Sequence, residues 1–432
     1  PLQGVDSIGI RMRAPIGNPT FELRTIALAV DDPGDLYLGK KPVVDEFGQW
    51  NPGKYEGKVR SLKQLQKIWE AEEKESVTTQ AYNYSKYGGY LQAKREATGF
   101  FRTEKIDGRW WFVDPEGYLF LSVGVDCVAP GGGGNVRDME QRRNLFKELP
   151  PGDMGSFLAR PGSASFGTWN LFRRYGEDFR TPSREMIIKR MDKCGLNTIG
   201  NWSAPEVYGM NRKAFLLQMR GIGIEGGLMG LPDVYVPGFA EKTDAACKSF
   251  CEPYRNNPWL IGYFIDNELF WSGDWGQDEH PVVGPKVLAR GPDSAAKRRL
   301  VELLRERYQG SIERLNAAWG TSFESFAALR DQPVELPPGA ALRAADDFSA
   351  FLTLAAETYY RTLREAVKKH DPNHLYLGSR LAQAPVAAVA AAGKYCDVVS
   401  YNVYAPKLDR RRFDALYQRA QRPFLIGEFS AG

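Results

Sequence analysis

The chain has 432 residues, enough for one large domain or for a domain of roughly 250–300 residues with a smaller companion. Its hydrophobic content of 43%, charged content of 25% and net charge of +4 are those of an ordinary globular chain, and its basic residues are spread out, which argues against a dedicated nucleic-acid binder. No run of 18 or more apolar residues exists to span a membrane as a helix, and the chain begins at Pro1 without a signal peptide, as expected of a processed chain or a fragment.

Residues 1–40 alternate polar and apolar in stretches such as "FELRTIALAV", which predicts strands of an antiparallel sheet. Residues 41–60 read as an extended connection. From Ser61 to about Glu75, Leu62, Leu65, Ile68 and Trp69 form a helical stripe. A boundary is expected near residue 95, which divides the chain into 1–40, a connecting segment 41–95 and a large domain 96–432. Beyond it, Asp107-Gly108 and Pro115-Glu116-Gly117 supply the turns of a hairpin. Its last strand continues into Leu119–Val125, expected to be buried on both faces. The "APGGGGN" loop that follows lacks the Lys-Ser/Thr or the glycine spacing of a phosphate loop.

From residue 181 strand and helix alternate. "TPSREMIIKRMDKCG" opens on Thr181 and Pro182 and closes at Gly195, with cap chemistry at both ends. Helices are expected at about 206–220, 240–255, 296–306, 311–318 and 345–369. Strands are expected at "LNTIGNWS", "GIEGGLMG", "WLIGYFIDNE", "HLYLGSR", "CDVVSYNVY" and "PFLIGEFS". With the strand ending near 126, these make seven strands ending near 126, 203, 229, 268, 380, 404 and 429. Such alternation means parallel strands joined by crossovers. A (β/α)8 TIM barrel fits best, apparently lacking its eighth strand in this chain, with a doubly wound open sheet as the alternative.

In such barrels the C-terminal strand ends carry the chemistry. The apolar strand "IGYFI" breaks into Asp266-Asn267-Glu268, and "FLIG" into Glu428. Two glutamates on one rim suit acetal cleavage, one protonating the leaving oxygen and the other attacking the anomeric carbon or activating water. The structural reading of each Glu is a strand-end cap or salt bridge; two together, each ending a long apolar strand, favour catalysis. Adjacent side chains on a strand diverge, so a bulge is expected to turn Asn267 inward beside Glu268, where its amide could hold a sugar 2-hydroxyl. Asn201 and Trp202 end one strand, Arg380 another, and Asn402 with Tyr404 a third. Tyr404, rather than Tyr401, is the tyrosine expected to hydrogen-bond the nucleophile. Trp271 and Trp275 are candidates for stacking on sugar faces. For these residues ordinary packing competes with a substrate-binding role.

The segments "PVVDEFGQWNPGK", "WWFVDPEGYLFLSVGVD", "CGLNTIGNWS", "PWLIGYFIDNELFW", "LNAAWGT", "DPNHLYLGSR" and "GEFSAG" resemble the β-agarases of glycoside hydrolase family 50, within clan A of the retaining glycoside hydrolases. "LNAAWGT" alone also resembles family 42 β-galactosidases. The resemblance runs from about residue 41 to the end. It implies that Glu268 is the acid/base, Glu428 the nucleophile and Asn267 the 2-hydroxyl contact. It further implies a β-linked galactan substrate such as agarose, exo release of disaccharides, no cofactor, and a secreted or periplasmic location. Related enzymes carry a carbohydrate-binding-like β-sandwich before the barrel, so residues 1–40 are expected to be its remnant.

Two other readings stay open. One is a non-catalytic carbohydrate-binding barrel, which the retained Glu pair opposes. The other is a metal-dependent barrel hydrolase, which the three histidines, His280, His370 and His374, make hard to build. Cys247 and Cys251 lie four apart on an expected helix, where buried free thiols are the simpler reading than zinc ligands.

Overall fold

The first sheet is set by its turn chemistry. Asp107 and Gly108 both take positive φ, 49° and 79°, the mirror-image turn that matches strand twist in a tight hairpin. The computed structural model describes residues 41–77, 82–136, 142–151, 164–220, 230–271 and 283–429. The expected sandwich remnant at 1–40, most of the expected strand "GIEGGLMG", Trp275 and His280 lie outside these residues.

Numbered along the chain, β1 (Tyr90–Lys94), β2 (Arg102–Ile106), β3 (Arg109–Val113) and β4 (Tyr118–Phe120) form an antiparallel sheet in the order β1-β4-β3-β2. This sheet spans residue 95, since β1 pairs with β4. The segment before it is tied to the rest of the chain by charge. From the helix Leu62–Lys74, Glu72 accepts hydrogen bonds from Arg174 (2.7 Å) and Arg190 (2.6 Å). Those guanidiniums hold the Glu72 carboxyl down at about 2, Arg190 contributing most.

The second layer is parallel. β5 (Gly124–Val125) is followed by a short antiparallel pair, β6 (Asn135–Val136) and β7 (Ala164–Ser165). Then come β8 (Thr198–Ile199), β9 (Ala214–Met219), β10 (Leu260–Ile265) and β11 (Leu375–Tyr376), hydrogen-bonded in the order β5-β8-β9-β10-β11. β12 (Val399–Val403) and β13 (Phe424–Phe429) pair in parallel, and a parallel bridge from Leu381 to Tyr401 joins β12 to the continuation of β11. Seven strands therefore lie beside their predecessors in chain order. That excludes a doubly wound order, in which the strand sequence reverses at a switch point.

All six residues of β10 are buried, and each of its Leu, Ile and Phe side chains contributes about 1.5–3 kcal/mol of hydrophobic stabilisation. Outside the sheet the helix Ala345–His370 packs between Phe239–Cys251 and Val386–Tyr395, and the latter packs on Arg410–Ala420. Cys247 and Cys251 are unpaired and buried, and burial pushes the Cys247 thiol up to about 12. No described helix is long and apolar enough to cross a membrane.

Two expectations are corrected. The helix expected at 206–220 is a single turn, Pro205–Tyr208, and the third parallel strand is Ala214–Met219. "AFLLQM" is a continuous apolar run, buried at all but Gln218, and such a run fits a fully buried strand as well as a helix. The stretch Leu119–Val125 is not buried on both faces: Leu121, Val123 and Val125 are 68%, 40% and 42% exposed. Among the described residues β5 pairs with β8 alone, so one of its edges stays open.

Candidate active site

Where the parallel strands end, the backbone is forced into the left-handed region. Cys127 after β5, Trp202 after β8, Asp266 and Glu268 after β10, and Arg380 after β11 all have φ between 52° and 60°. For non-glycine residues each such conformation costs on the order of 1–3 kcal/mol, and it persists only where surrounding contacts enforce it. At β10 those contacts are visible. Asp266 turns into the core, where its carboxylate accepts a hydrogen bond from the Tyr359 hydroxyl (2.8 Å) and its carbonyl accepts one from Gln218 Nε2 (2.8 Å). The Glu268 N–H donates to the carbonyls of Ser379 and Arg380, both at 3.3 Å. Two left-handed residues flanking Asn267 thus do what a bulge was expected to do, and Asn267 and Glu268 both face the rim.

The side chains converge on two donors. Asn402 Nδ2 donates to Glu268 Oε1 (2.8 Å), to Glu428 Oε2 (3.1 Å) and, more weakly, to Asn267 Oδ1 (3.3 Å). Because one nitrogen touches both glutamates, those two oxygens lie no more than about 6 Å apart, short of the ~6.5–9.5 Å that separates an inverting pair. Arg380 is fully buried. Its Nε donates to Asn267 Oδ1 (2.8 Å), and its Nη2 donates to Glu428 Oε2 (2.8 Å) and Asp126 Oδ2 (3.2 Å). Asp126 follows the first parallel strand and Glu428 lies on the seventh, so the sheet curls until its two ends meet one guanidinium.

Tyr404 Oη donates to Glu428 Oε1, whereas Tyr401 is buried against Phe413 and Phe424. Among the described residues Glu428 therefore receives three donors, one of them cationic, and Glu268 receives one side-chain donor, Asn402. A cleft of about 330 Å³ opens beside Glu268, with Ala382, Tyr404 and Arg412 in its wall. Trp202 is 37% exposed, with the Arg380 guanidinium over its ring at 4.7 Å and that of Arg220 at 5.5 Å. Asn201 donates its backbone N–H to Asp126 Oδ1 (2.8 Å), while its buried side-chain amide has no hydrogen-bond partner among the described residues.

Trp271 departs from its expected role as a sugar platform. Its ring is 1% exposed, stacked on Tyr360 at 5.6 Å and edge-on to Tyr359 at 5.5 Å. It has no free face to offer a ligand, and it props the loop that carries Glu268. Among the described residues no group of three His, Cys, Asp or Glu side chains gathers as metal ligands. Asp126 went unnamed in the sequence reading. The signal was there, since "SVGVD" breaks an apolar run with an acid just as "GYFID" and "FLIGE" do.

Comparison with known proteins points the same way. Residues 233–431 match a family model described as beta-galactosidase, of glycoside hydrolase family 42. Beta-agarase B of Vibrio sp. (strain JT0107) is 29% identical over 99% of this chain and 49% of its own length. Beta-agarase A of the same strain is 30% identical over 90% and 43%. The chain therefore spans about half the length of the curated relatives it matches. Among solved structures, an exo-beta-agarase superposes with a TM-score of 0.81 at 30% identity, covering 92% of this chain and 62% of that one. A second agarase gives a TM-score of 0.77 at 31% identity, covering 90% and 60%. Over most of its length the chain is similar to agarases among the glycoside hydrolases.

Proposed function

We propose that this chain is the catalytic part of a retaining β-glycoside hydrolase that cleaves agarose or agaro-oligosaccharides. The observation that carries the reading is Asn402 Nδ2 touching both Glu268 and Glu428, which holds two carboxylates at a separation suited to double displacement. Glu428, with three donors to fix its orientation, attacks the anomeric carbon as Glu268 delivers its proton to the departing oxygen. A glycosyl ester on Glu428 results. Glu268, now a carboxylate, takes a proton from water, which displaces Glu428 and leaves the sugar in its original β configuration. Asn267, fixed by Arg380 Nε, is placed to hydrogen-bond the 2-hydroxyl, a contact that strengthens in the transition state. Asn201, Asn402, Tyr404 and the exposed face of Trp202 supply further substrate contacts.

The seven parallel strands in chain order, curled so that the first and last share Arg380, support a (β/α)8 barrel of the family 50 and clan A type. The similarity to an exo-beta-agarase supports exo action. The size of the polymer supports a secreted or periplasmic location. A simpler β-galactosidase activity is the second reading, favoured by the family match to residues 233–431.

The test is hydrolysis of agaro-oligosaccharides and aryl β-galactosides by wild type, Glu268→Gln and Glu428→Gln, with product anomers read by proton NMR. The β-anomer should form first, both variants should lose at least about 10²-fold in kcat, and chelators should have no effect. Binding of oligosaccharide without turnover by a folded wild type would instead identify a carbohydrate-binding barrel.

A further inference from the structure

Two carboxylates are enough for the chemistry above, yet a third meets them. Asp126 Oδ2 and Glu428 Oε2 accept from the same nitrogen, Arg380 Nη2, at 3.2 and 2.8 Å. Asp126 is itself fixed, because its Oδ1 accepts the Asn201 N–H at 2.8 Å. Gly200 leaves it room, since a Cβ there would sit 2.0 Å from Asp126 Oδ1. The guanidinium between them is locked by Asn267 at Nε, by the Trp202 and Phe264 rings at 4.7 and 5.1 Å, and by its left-handed backbone.

We infer that Asp126 is a positioning residue for Glu428: it shares Arg380 Nη2 with the nucleophile, so that the cation orients Glu428 without being wholly taken up by it. This rests on the assignment of Glu428 as nucleophile. A guanidinium paired with one carboxylate alone would draw electron density from the attacking oxygen; divided between two, it still aligns the oxygen but binds it less tightly. A second anion on a shared cation raises the proton affinity of the first. Asp126 shows this sign: its carboxyl is pushed up chiefly by burial, with Arg380 and the Asn201 N–H pulling it down and Glu428 adding to the rise.

The other titratable and charged groups around the pair, among the described residues, come from the neighbouring strand ends. Tyr404 donates to Glu428 from beyond β12, and Glu268 reaches Glu428 through Asn402 from beyond β10. Cys127 has its thiol pushed up by burial and by both carboxylates. Arg220 lies over Trp202 from beyond β9. Arg380 is the cation that bridges Asp126 to Glu428.

The experiment is carboxyl-carbon NMR titration of the whole chain with labelled Asp and Glu, in wild type, Asp126→Asn, Asp126→Glu and Glu428→Gln. In kinetics, Asp126→Asn should lower kcat on agaro-oligosaccharide with little change in KM, and Asp126→Glu should restore it. Glu428→Gln, which removes the second anion from Arg380, should lower the Asp126 midpoint. The titration arm decides the matter even where Asp126→Asn fails to fold. An Asp126 midpoint unmoved in Glu428→Gln would overturn the inference, as would loss of folding stability in Asp126→Asn with an unchanged kcat. A wild type that turns over no glycoside would overturn the nucleophile assignment, while the titrations would still show whether Asp126 and Glu428 divide Arg380.

Discussion

Glu268 and Glu428 arrive at one site by opposite structural means. Glu268 stands on a left-handed turn after the fully buried β10, braced from below by the Tyr359 hydroxyl, Tyr360 and Trp271, and among the described residues a single side-chain donor, Asn402, meets its carboxylate. Glu428 lies within β13, which is partly open to solvent, with Phe424 and Phe429 exposed; three donors from its neighbours fix the side chain. One glutamate is placed by its backbone and the other by its hydrogen bonds. A group that must both release and accept a proton gains from having few fixed donors, whereas an attacking oxygen gains from a fixed direction.

The comparison breaks most sharply at the glutamates themselves. Glu428→Gln should lower kcat by on the order of 10⁴–10⁶-fold and Glu268→Gln by about 10²–10⁴-fold, measured on agaro-oligosaccharides. Equal and small losses at both positions would remove the distinction. The buried support under Glu268 comes next. Trp271→Ala should destabilise the fold by about 3–5 kcal/mol in urea titration. Trp202→Ala, at a partly exposed ring, should act mainly on KM; the reverse pattern would make Trp271 the sugar platform after all. Tyr359→Phe removes the hydroxyl that meets the buried Asp266 carboxylate and should cost about 1–3 kcal/mol, with the loss of kcat larger than any change in KM.

The smallest effect lies far from the rim. The Glu72 carboxyl is held below its ordinary value of 4.5, down to about 2, by Arg190 and Arg174. A depressed carboxylate lends stability that is present above its unfolded value and is lost as pH falls through the folded one. Chemical denaturation of wild type should therefore weaken between about pH 4.5 and 2 more than that of Glu72→Gln. Parallel acid profiles for the two proteins would show that this contact between the helix Leu62–Lys74 and the helix Arg180–Lys193 contributes nothing to folding.

Reading from the sequence succeeded where the signal was local. The C-terminal stop at Gly195, the Asp107-Gly108 turn and the helical stripe from Leu62 to Trp69 depend on neighbours within a few residues, so composition and spacing carry them, although the N-cap expected at Thr181 falls inside the helix Arg180–Lys193. The breaks "IDNE" and "IGEF" were legible because a polar group at the end of a buried strand is costly unless something uses it. "AFLLQM" failed that reading: a short run, apolar but for Gln218, has no period to separate strand from helix, and only burial between β8 and β10 decides it.

The sequence by itself determined the alternation of strand and helix, the acids that end the strands, and the family those motifs resemble. Tertiary structure alone decided which acids share a partner. Asp126, Asn267, Asn402 and Glu428 are separated by up to hundreds of residues, yet they meet at Arg380 and at one amide because the parallel strands lie in chain order and curl until their first and last ends touch the same cation. Local propensity has no reach across such distances. It is the burial of Arg380, which must find partners for its charge once it leaves water, that selects them.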